Sequence, residues 1–309
     1  MNMLSVDQWF EPLYYIVDPS KRLFFIYLIS SLVLAFIAFL FQGKSPQQAL
    51  ASLMDSRVWL HRSSQIDVQL MFLNAILKTT TLIVVSLSAV ALAKQVLHGL
   101  NLLFPAYNPF SLTRAQALLL YTLFSFVALD FSRFFQHYLF HKVPFLWQFH
   151  KIHHSAEVMT PITLYRTHPV ESVFGALRQV LVLGLITGLF LFHTRSIISA
   201  HTVFGVNVLG FVFNIFAGNL RHSHVWLSFG PLQYLFISPA QHQVHHSRAK
   251  KHHDKNLGVA LALWDQLFGT FYPVHNKEFL IFGVYGERYK NLKEALMAPF
   301  TAKPVFPCD

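Results

Sequence analysis

The chain reads as long apolar runs separated by short polar stretches in which histidine and aromatic residues alternate. Leu23 to Phe41 is interrupted only by Ser30 and Ser31. At ~1.5 Å per helical residue it covers about the 30 Å hydrocarbon core of a bilayer, and no small-residue cleavage pattern follows it, so it reads as an anchor helix and not as a signal peptide. Four further runs follow: Leu70 to Ala93, with Lys78 inside it, then Ala115 to Phe135, Val173 to Phe192 and Ile197 to Ala217. The more polar stretch Gln42 to Gln69 reads as a connecting loop. Only His193-Thr-Arg-Ser196 separates the fourth and fifth runs, which predicts an antiparallel helical hairpin. Gly184 and Gly188 make a small-xxx-small pair suited to close helix packing. The pattern predicts an all-α, polytopic membrane bundle of about four or five transmembrane helices.

Composition supports this. Of 309 residues, 54% are hydrophobic and 12% charged, and the mean hydropathy is +0.43. A soluble domain carries about a quarter charged residues, so a purely soluble globule and a disordered chain are both excluded. The net charge of +10 asks for an anionic partner. No nucleic-acid module is present, and Lys/Arg flanking apolar runs points to the lipid bilayer. If Lys142, Lys151 and Arg166 after the third run, and Arg221, Arg248, Lys250, Lys251 and Lys255 after the fifth, are cytoplasmic, the positive-inside rule is met; Lys21 and Arg22 then conflict mildly. The hairpin leaves and re-enters one face, which brings the segments His137 to His154 and His222 to His253 together on the cytoplasmic side, at the inner membrane if the chain is bacterial.

Histidine carries the candidate chemistry. There are 18 histidines against 14 acidic residues, and the single cysteine, Cys308, rules out a cysteine-ligated cluster. Three boxes stand out: His137-Tyr-Leu-Phe-His141, His150-Lys-Ile-His153-His154 and His242-Gln-Val-His245-His246. Helical positions i, i+3 and i+4 share a face, and at this histidine frequency an HxxHH pattern has about 0.06 chance occurrences in the chain. Eight imidazoles exceed the needs of one ion, so a dinuclear site in a histidine-rich cap is the natural inference. His222, just beyond the fifth run, is a ninth candidate ligand. His61, His98, His193, His201 and His275 read as ordinary histidines.

Four residues are candidates for supporting the ligands from outside. Asp130, Phe134, His137 and His141 step by four, three and four, so the one acid deep in a run lies on the stripe of the first box, where a carboxylate accepts an imidazole N–H; a carboxyl linked to Arg133 is the plainer alternative. His168, His224 and Asp254, with Asp265 beside them, are the others.

At these residues the sequence resembles the fatty acid hydroxylase/sterol desaturase superfamily of integral-membrane di-iron proteins. The matched text runs from Asp130-Phe131 through the first two boxes, Thr167-His-Pro-Val-Glu171, His222-Ser223 and the third box to Asp254-Lys-Asn256 and Trp264-Asp-Gln-Leu-Phe-Gly-Thr270. Box order looks closest to the alkylglycerol monooxygenase and bacterial sterol-desaturase-like branches; His224 departs from them, standing where relatives often carry Asn or Glu. The resemblance implies two irons, with zinc in some purified forms, and O2-dependent hydroxylation of a lipid C–H bond, with desaturation as the alternative outcome. It implies an N-terminal membrane region over 1–114, a catalytic domain over 115–272 and a tail over 273–309.

No dinucleotide fingerprint, haem motif or ferredoxin cysteines occur in the chain, so electrons are expected from a separate partner: a ferredoxin, a cytochrome b5-like protein or a pterin. Lys250, Lys251 and Lys255 are candidates for its docking face or for headgroup contact. A histidine-rich zinc-binding or zinc-transport protein is the reading from another class, but a transporter would place its ligands inside the runs, near the bilayer midplane.

Overall fold

The computed structural model describes residues 11–194 and 208–301. Among these the regular structure is helical, with three isolated bridges and no strand. The principal helices are α1 (Phe25–Phe41), α2 (Pro46–Leu53), α3 (Arg62–Leu103), α4 (Arg114–Lys142), α5 (Pro144–His154), α6 (Pro169–Thr194), α7 (Val208–Phe213), α8 (Pro239–His245), α9 (Leu263–Phe268) and α10 (Leu292–Thr301). A π-helical turn, Asn214–Gly218, follows α7. The turn expected beyond Thr194, most of the fifth apolar run, and Cys308 lie outside the described residues.

Two expectations change. The stretch Gln42–Gln69 is helical and not a loop: Ser45 and Gln48 form a capping box with Pro46 at the first helical position, Asp55 caps a four-residue turn, and His61 caps α3. Side chains that satisfy the free N–H groups of a first turn let short polar segments start helices. The third run is also longer than its apolar stretch. α4 has 29 residues, about 43 Å, so its last two turns rise beyond a 30 Å hydrocarbon core and carry His137 and His141 with them.

α4 and α6 are the two described helices long and apolar enough to cross a membrane; α1, with 17 residues, is shorter. Leu177, Leu181, Leu185 and Leu189 form an exposed stripe along α6, and Leu119, Leu123 and Val127 do the same on α4. Exposed apolar area this continuous is stable against lipid and not against water, and the chain is membrane-associated. Inward, Ala117 and Tyr121 of α4 pack on Phe190 of α6, and the Tyr121 hydroxyl lies 2.9 Å from that of Thr187. α10 closes over α3 and α5 through Ile66, Leu70, Ile152 and Ala295.

α3 and α6 approach most closely at the glycine pair. A Cβ on Gly184 would lie 2.7 Å from Leu92, and one on Gly188 would lie 2.6 Å from Val96 and 2.8 Å from the Ala93 carbonyl oxygen. Backbone on the opposing helix cannot rotate away, so Gly188→Val should lower stability by about 1–3 kcal/mol and Gly184→Leu by a similar amount. Thermal unfolding in detergent measures this, with Gly99→Ala, which has open space around it, as the comparison.

Candidate metal centre

The site is assembled by two sharp changes of direction. Pro144 disfavours helical backbone at the residue before it, and Val143 is accordingly extended (φ −100°, ψ 113°), ending α4 and beginning α5 at one residue. The second box therefore folds back onto the first. The third box sits on α8, which starts with the same Ser-Pro-x-Gln signature as α2: Ser238 and Gln241 form the capping box and Pro239 opens the helix. A 3-10 turn, Leu220–His222, delivers His222.

All nine predicted histidines meet there, in two adjoining groups. His137, His141, His150, His154 and His245 form one, and His153, His222, His242 and His246 the other; within each group one nitrogen per ring lies within 4.8 Å of all the others. The division follows from helix geometry. Position i+4 is rotated about 40° from i, whereas i+3 falls about 60° to the other side. The first and last histidines of an HxxHH box thus serve one group and the middle one serves its neighbour: His150 and His154 against His153, and His242 and His246 against His245. The rings of His154 and His246, from different groups, stack with centroids 4.6 Å apart.

The nitrogens that converge are Nε2. The pairs His137–His150, His150–His154, His153–His222, His222–His242 and His242–His246 are 3.0, 3.2, 3.2, 2.9 and 3.2 Å apart. In five of the rings the opposite nitrogen faces an acceptor, whereas His242 Nδ1 is buried without a hydrogen-bond partner. His137 Nδ1 is 2.7 Å from the Leu257 carbonyl oxygen, His153 Nδ1 3.2 Å from that of Arg166 and His245 Nδ1 2.9 Å from that of Lys255; His150 and His141 meet carboxylates of Glu171 (3.0 Å) and Asp254 (3.2 Å). A carbonyl only accepts, so the proton of a neutral ring must sit on Nδ1, leaving Nε2 as a bare lone pair. Lone pairs 3 Å apart repel unless a cation lies between them. With metal–nitrogen bonds of about 2.0–2.1 Å, ligands at right angles are about 3.0 Å apart, which is the spacing observed. His141 Nε2 and His245 Nε2 are also buried without a protein partner. The donor set, imidazole throughout, could hold iron, zinc or copper.

The segment 254–258 organises one side of the site. Asp254 and Asn256 both adopt left-handed backbone (φ 55° and 53°), which Asp and Asn tolerate better than most residues. The segment consequently presents the Asp254 carboxylate, the Lys255 carbonyl and the Leu257 carbonyl to three different histidines. It is held by Asp265, which accepts from the N–H groups of Leu257 (2.7 Å) and Gly258 (2.8 Å) and from the Thr270 hydroxyl (2.6 Å). Lys142 Nζ, 2.6 Å from Asp254, orients the carboxylate further.

Asp130, His168 and His224 make other contacts. Asp130 accepts from the N–H groups of Ala260 and Leu261 and from Trp264 Nε1, each at 3.0 Å, anchoring the chain just after the 254–258 segment. His168 accepts from the Val170 N–H at the start of α6 and lies 3.2 Å from the Leu296 carbonyl oxygen. His224 lies 2.8 Å from the Ser52 carbonyl oxygen. The contact of Glu171 with His150 had no sequence assignment, although Thr167-His-Pro-Val-Glu171 carries a signal: an acid at the third position of a helix opened by Pro169. The backbone acceptors carry no residue signature at all.

Buried ion pairs fix the second box. The Arg166 guanidinium pairs with Asp67 (2.7 Å) and donates to the Ile152 carbonyl and Ser155 hydroxyl oxygens, tying α5 to α3. Lys151, between box histidines and fully buried, pairs with Glu287 of the tail at 2.5 Å. Three basic residues used to orient the chain, Lys142, Lys151 and Arg166, are thus engaged in the scaffold of the site.

Burial lowers the imidazole pKa of His150 and His153 to about 3, and those of His154, His222, His242, His245 and His246 well below their ordinary value. Between pH of about 3 and 6.5 the unfolded chain then binds more protons than the folded one, so stability is complete above about 7 and falls as pH falls. Metal-free protein should show a melting temperature that drops steadily from pH 7 to 5; a flat profile would contradict the buried, neutral histidines.

Comparison with known proteins matches residues 122–270 to the fatty acid hydroxylase family. The ornithine lipid hydroxylase OlsE of Rhizobium tropici is 32% identical over 180 residues, 57% of this chain and 49% of that protein. Alkylglycerol monooxygenases of Xenopus tropicalis and Homo sapiens are 29% and 30% identical over 160 and 153 residues, covering 52% and 50% of this chain and 32% and 31% of theirs. The chain spans about half, or less, of the length of these curated relatives. No solved structure matches.

Proposed function

We propose that this chain, which carries a fatty acid hydroxylase domain over residues 122–270, is a multi-pass membrane monooxygenase that hydroxylates an unactivated C–H bond of a lipid, with its histidine groups on the cytoplasmic face. The observation that carries this reading is the pair of adjoining histidine groups at the end of the apolar helices. Five imidazoles in one group and four in the other suit two ions, and the hydroxylase names of the relatives favour iron over zinc. Two irons held there would supply O2 activation, with electrons from a separate donor such as a ferredoxin, a cytochrome b5-like protein or a pterin.

The residues of the chain do the rest. His137, His141, His150, His154 and His245 hold one ion, and His153, His222, His242 and His246 the other. The carbonyls of Leu257, Arg166 and Lys255 keep the ligand rings in the tautomer that leaves Nε2 free. Asp254 and Glu171 do the same for His141 and His150 and raise their basicity as ligands. Burial of all but His137 below one-tenth exposure limits water at the site, while α4 and α6 present an apolar surface along which a lipid chain can reach it. The catalytic unit is assigned to 115–272, with 1–114 and 273–309 buttressing the second box through Asp67 and Glu287.

The test is to purify the protein anaerobically, count metals and supply O2, reductant and a host lipid extract. About two irons per chain and a lipid that gains one oxygen are expected; a product that loses two hydrogens instead would establish desaturation. His150→Ala and His245→Ala should abolish activity and lower metal content, whereas His98→Ala should change neither. Glu171→Gln should weaken metal binding by about 10–100-fold. A protein holding one tight zinc and consuming no O2 would overturn the proposal.

A further inference from the structure

Arg22 and Arg221 lie beside the second histidine group, with Arg133 of α4 within electrostatic reach of both and Arg178 of α6 within reach of Arg133. Arg221, next to His222 and buried, donates to the Val259 carbonyl oxygen and has its guanidinium 5.8 Å from the Phe213 ring centroid. Arg22, immediately before α1, is packed against the π-helical turn, so that a Cβ on Gly218 would collide with its Nη1. Asn219, next in the chain, donates to the Arg22 carbonyl oxygen at 2.9 Å. Arg178 of α6 donates to Gln136 and Ser132 of α4, each at 2.8 Å. Arg133 lies between those two residues in sequence, one turn from Asp130.

The positive charges act on one another. Arg22 is lowered to about 10 by burial and then by Arg133. Asp130 is the carboxylate within reach of Arg133 and Arg221, and it is already engaged by two backbone N–H groups and Trp264. Arg178 is bonded only to neutral side chains in these contacts. Two buried donors, Arg22 Nη1 and Arg221 Nε, have no protein partner, whereas Arg133 keeps an accessible side chain. A surplus of guanidinium charge in a place of low dielectric is unfavourable unless an anion compensates it, and guanidinium forks suit carboxylate and phosphate oxygens.

We propose that Arg22, Arg133, Arg178 and Arg221 form a binding site for the oxyanion of an acidic lipid, a carboxylate or a phosphate, which places that lipid's chain beside the histidine groups. The proposal rests on the reading of the protein as a lipid hydroxylase and adds that the substrate is anionic. The two turns that carry Arg22 and Arg221 meet through Gly218 and Asn219, and Arg221 adjoins the ligand His222. An anion held by these side chains therefore lies within a few residues of the reacting centre, on the side where α1, α4 and the 214–218 turn converge.

The test uses the full chain, purified with its metal in a non-ionic detergent, and compares lipids that differ by one acidic group. Oleate is set against oleyl alcohol, and dioleoyl phosphatidate against dioleoylglycerol, at a pH where the acids are ionised, with binding read by native mass spectrometry. The wild type should bind at least one acid about tenfold or more tightly than its neutral partner, and the arm that shows the difference identifies carboxylate or phosphate as the group recognised. Arg133→Gln and Arg22→Gln should lose most of that preference at unchanged metal content, while Arg133→Lys keeps it. Equal binding of acid and neutral lipid by the wild type, or a preference that survives both glutamine variants, overturns the proposal. The wild-type comparison decides the matter even if a variant fails to fold. Metal content is read from the same samples: a chain that prefers acidic lipid yet holds no transition metal would refute the hydroxylase reading and leave the anion site standing.

Discussion

Everything in this protein is arranged around nitrogen lone pairs that point at one another. Neutral imidazoles 2.9–3.2 Å apart at Nε2 are a poor arrangement in isolation, and the chain invests most of its buried polarity in keeping them so. Outer acceptors hold the proton on Nδ1 in five of the rings, burial keeps the rings neutral, and ion pairs keep the helices that bear them from turning away. The site is therefore prepared for a cation before one arrives, and the energetic cost of preparing it is spread over the scaffold.

The scaffold divides into two kinds of support. Along the apolar helices it is packing: glycines at 184 and 188 let α3 and α6 approach, and leucine stripes face outward. Around the histidines it is polar and buried, with Arg166–Asp67 and Lys151–Glu287 fixing α5, and Asp265 and Asp130 fixing the 254–261 stretch. Removing one partner of such a pair leaves an uncompensated buried charge, which is more damaging than never having built the pair. The second box thus depends on Asp67, more than eighty positions upstream, and on Glu287, more than a hundred downstream.

The arginines beside the second group differ from this pattern. Arg166 and Lys151 each meet a carboxylate of the chain, whereas among the described residues the negative charge beside Arg133 and Arg221 is the already engaged Asp130 and Arg178 is bonded to neutral side chains. An acidic lipid headgroup, as proposed above, would compensate this imbalance.

The sequence by itself determined the ligand chemistry. Histidine spacing named eight of the nine convergent rings, because i, i+3 and i+4 are geometric relations within one helix, the place of His222 just beyond the fifth apolar run named the ninth, and the long apolar runs of α4 and α6 declared themselves by length. It also held the capping signatures that make Gln42–Gln69 helical, although these were obscured by that stretch's polarity. Only the tertiary structure decided how the boxes are shared between two groups, since that depends on how α4, α5 and α8 face one another. It alone revealed the acceptors on Nδ1, because a carbonyl belongs to every residue and marks none. Asp130 illustrates the limit: its register on the helix placed it on the histidine stripe, yet the side chain turned to Ala260, Leu261 and Trp264, residues some 130 positions away whose arrival no local pattern could announce.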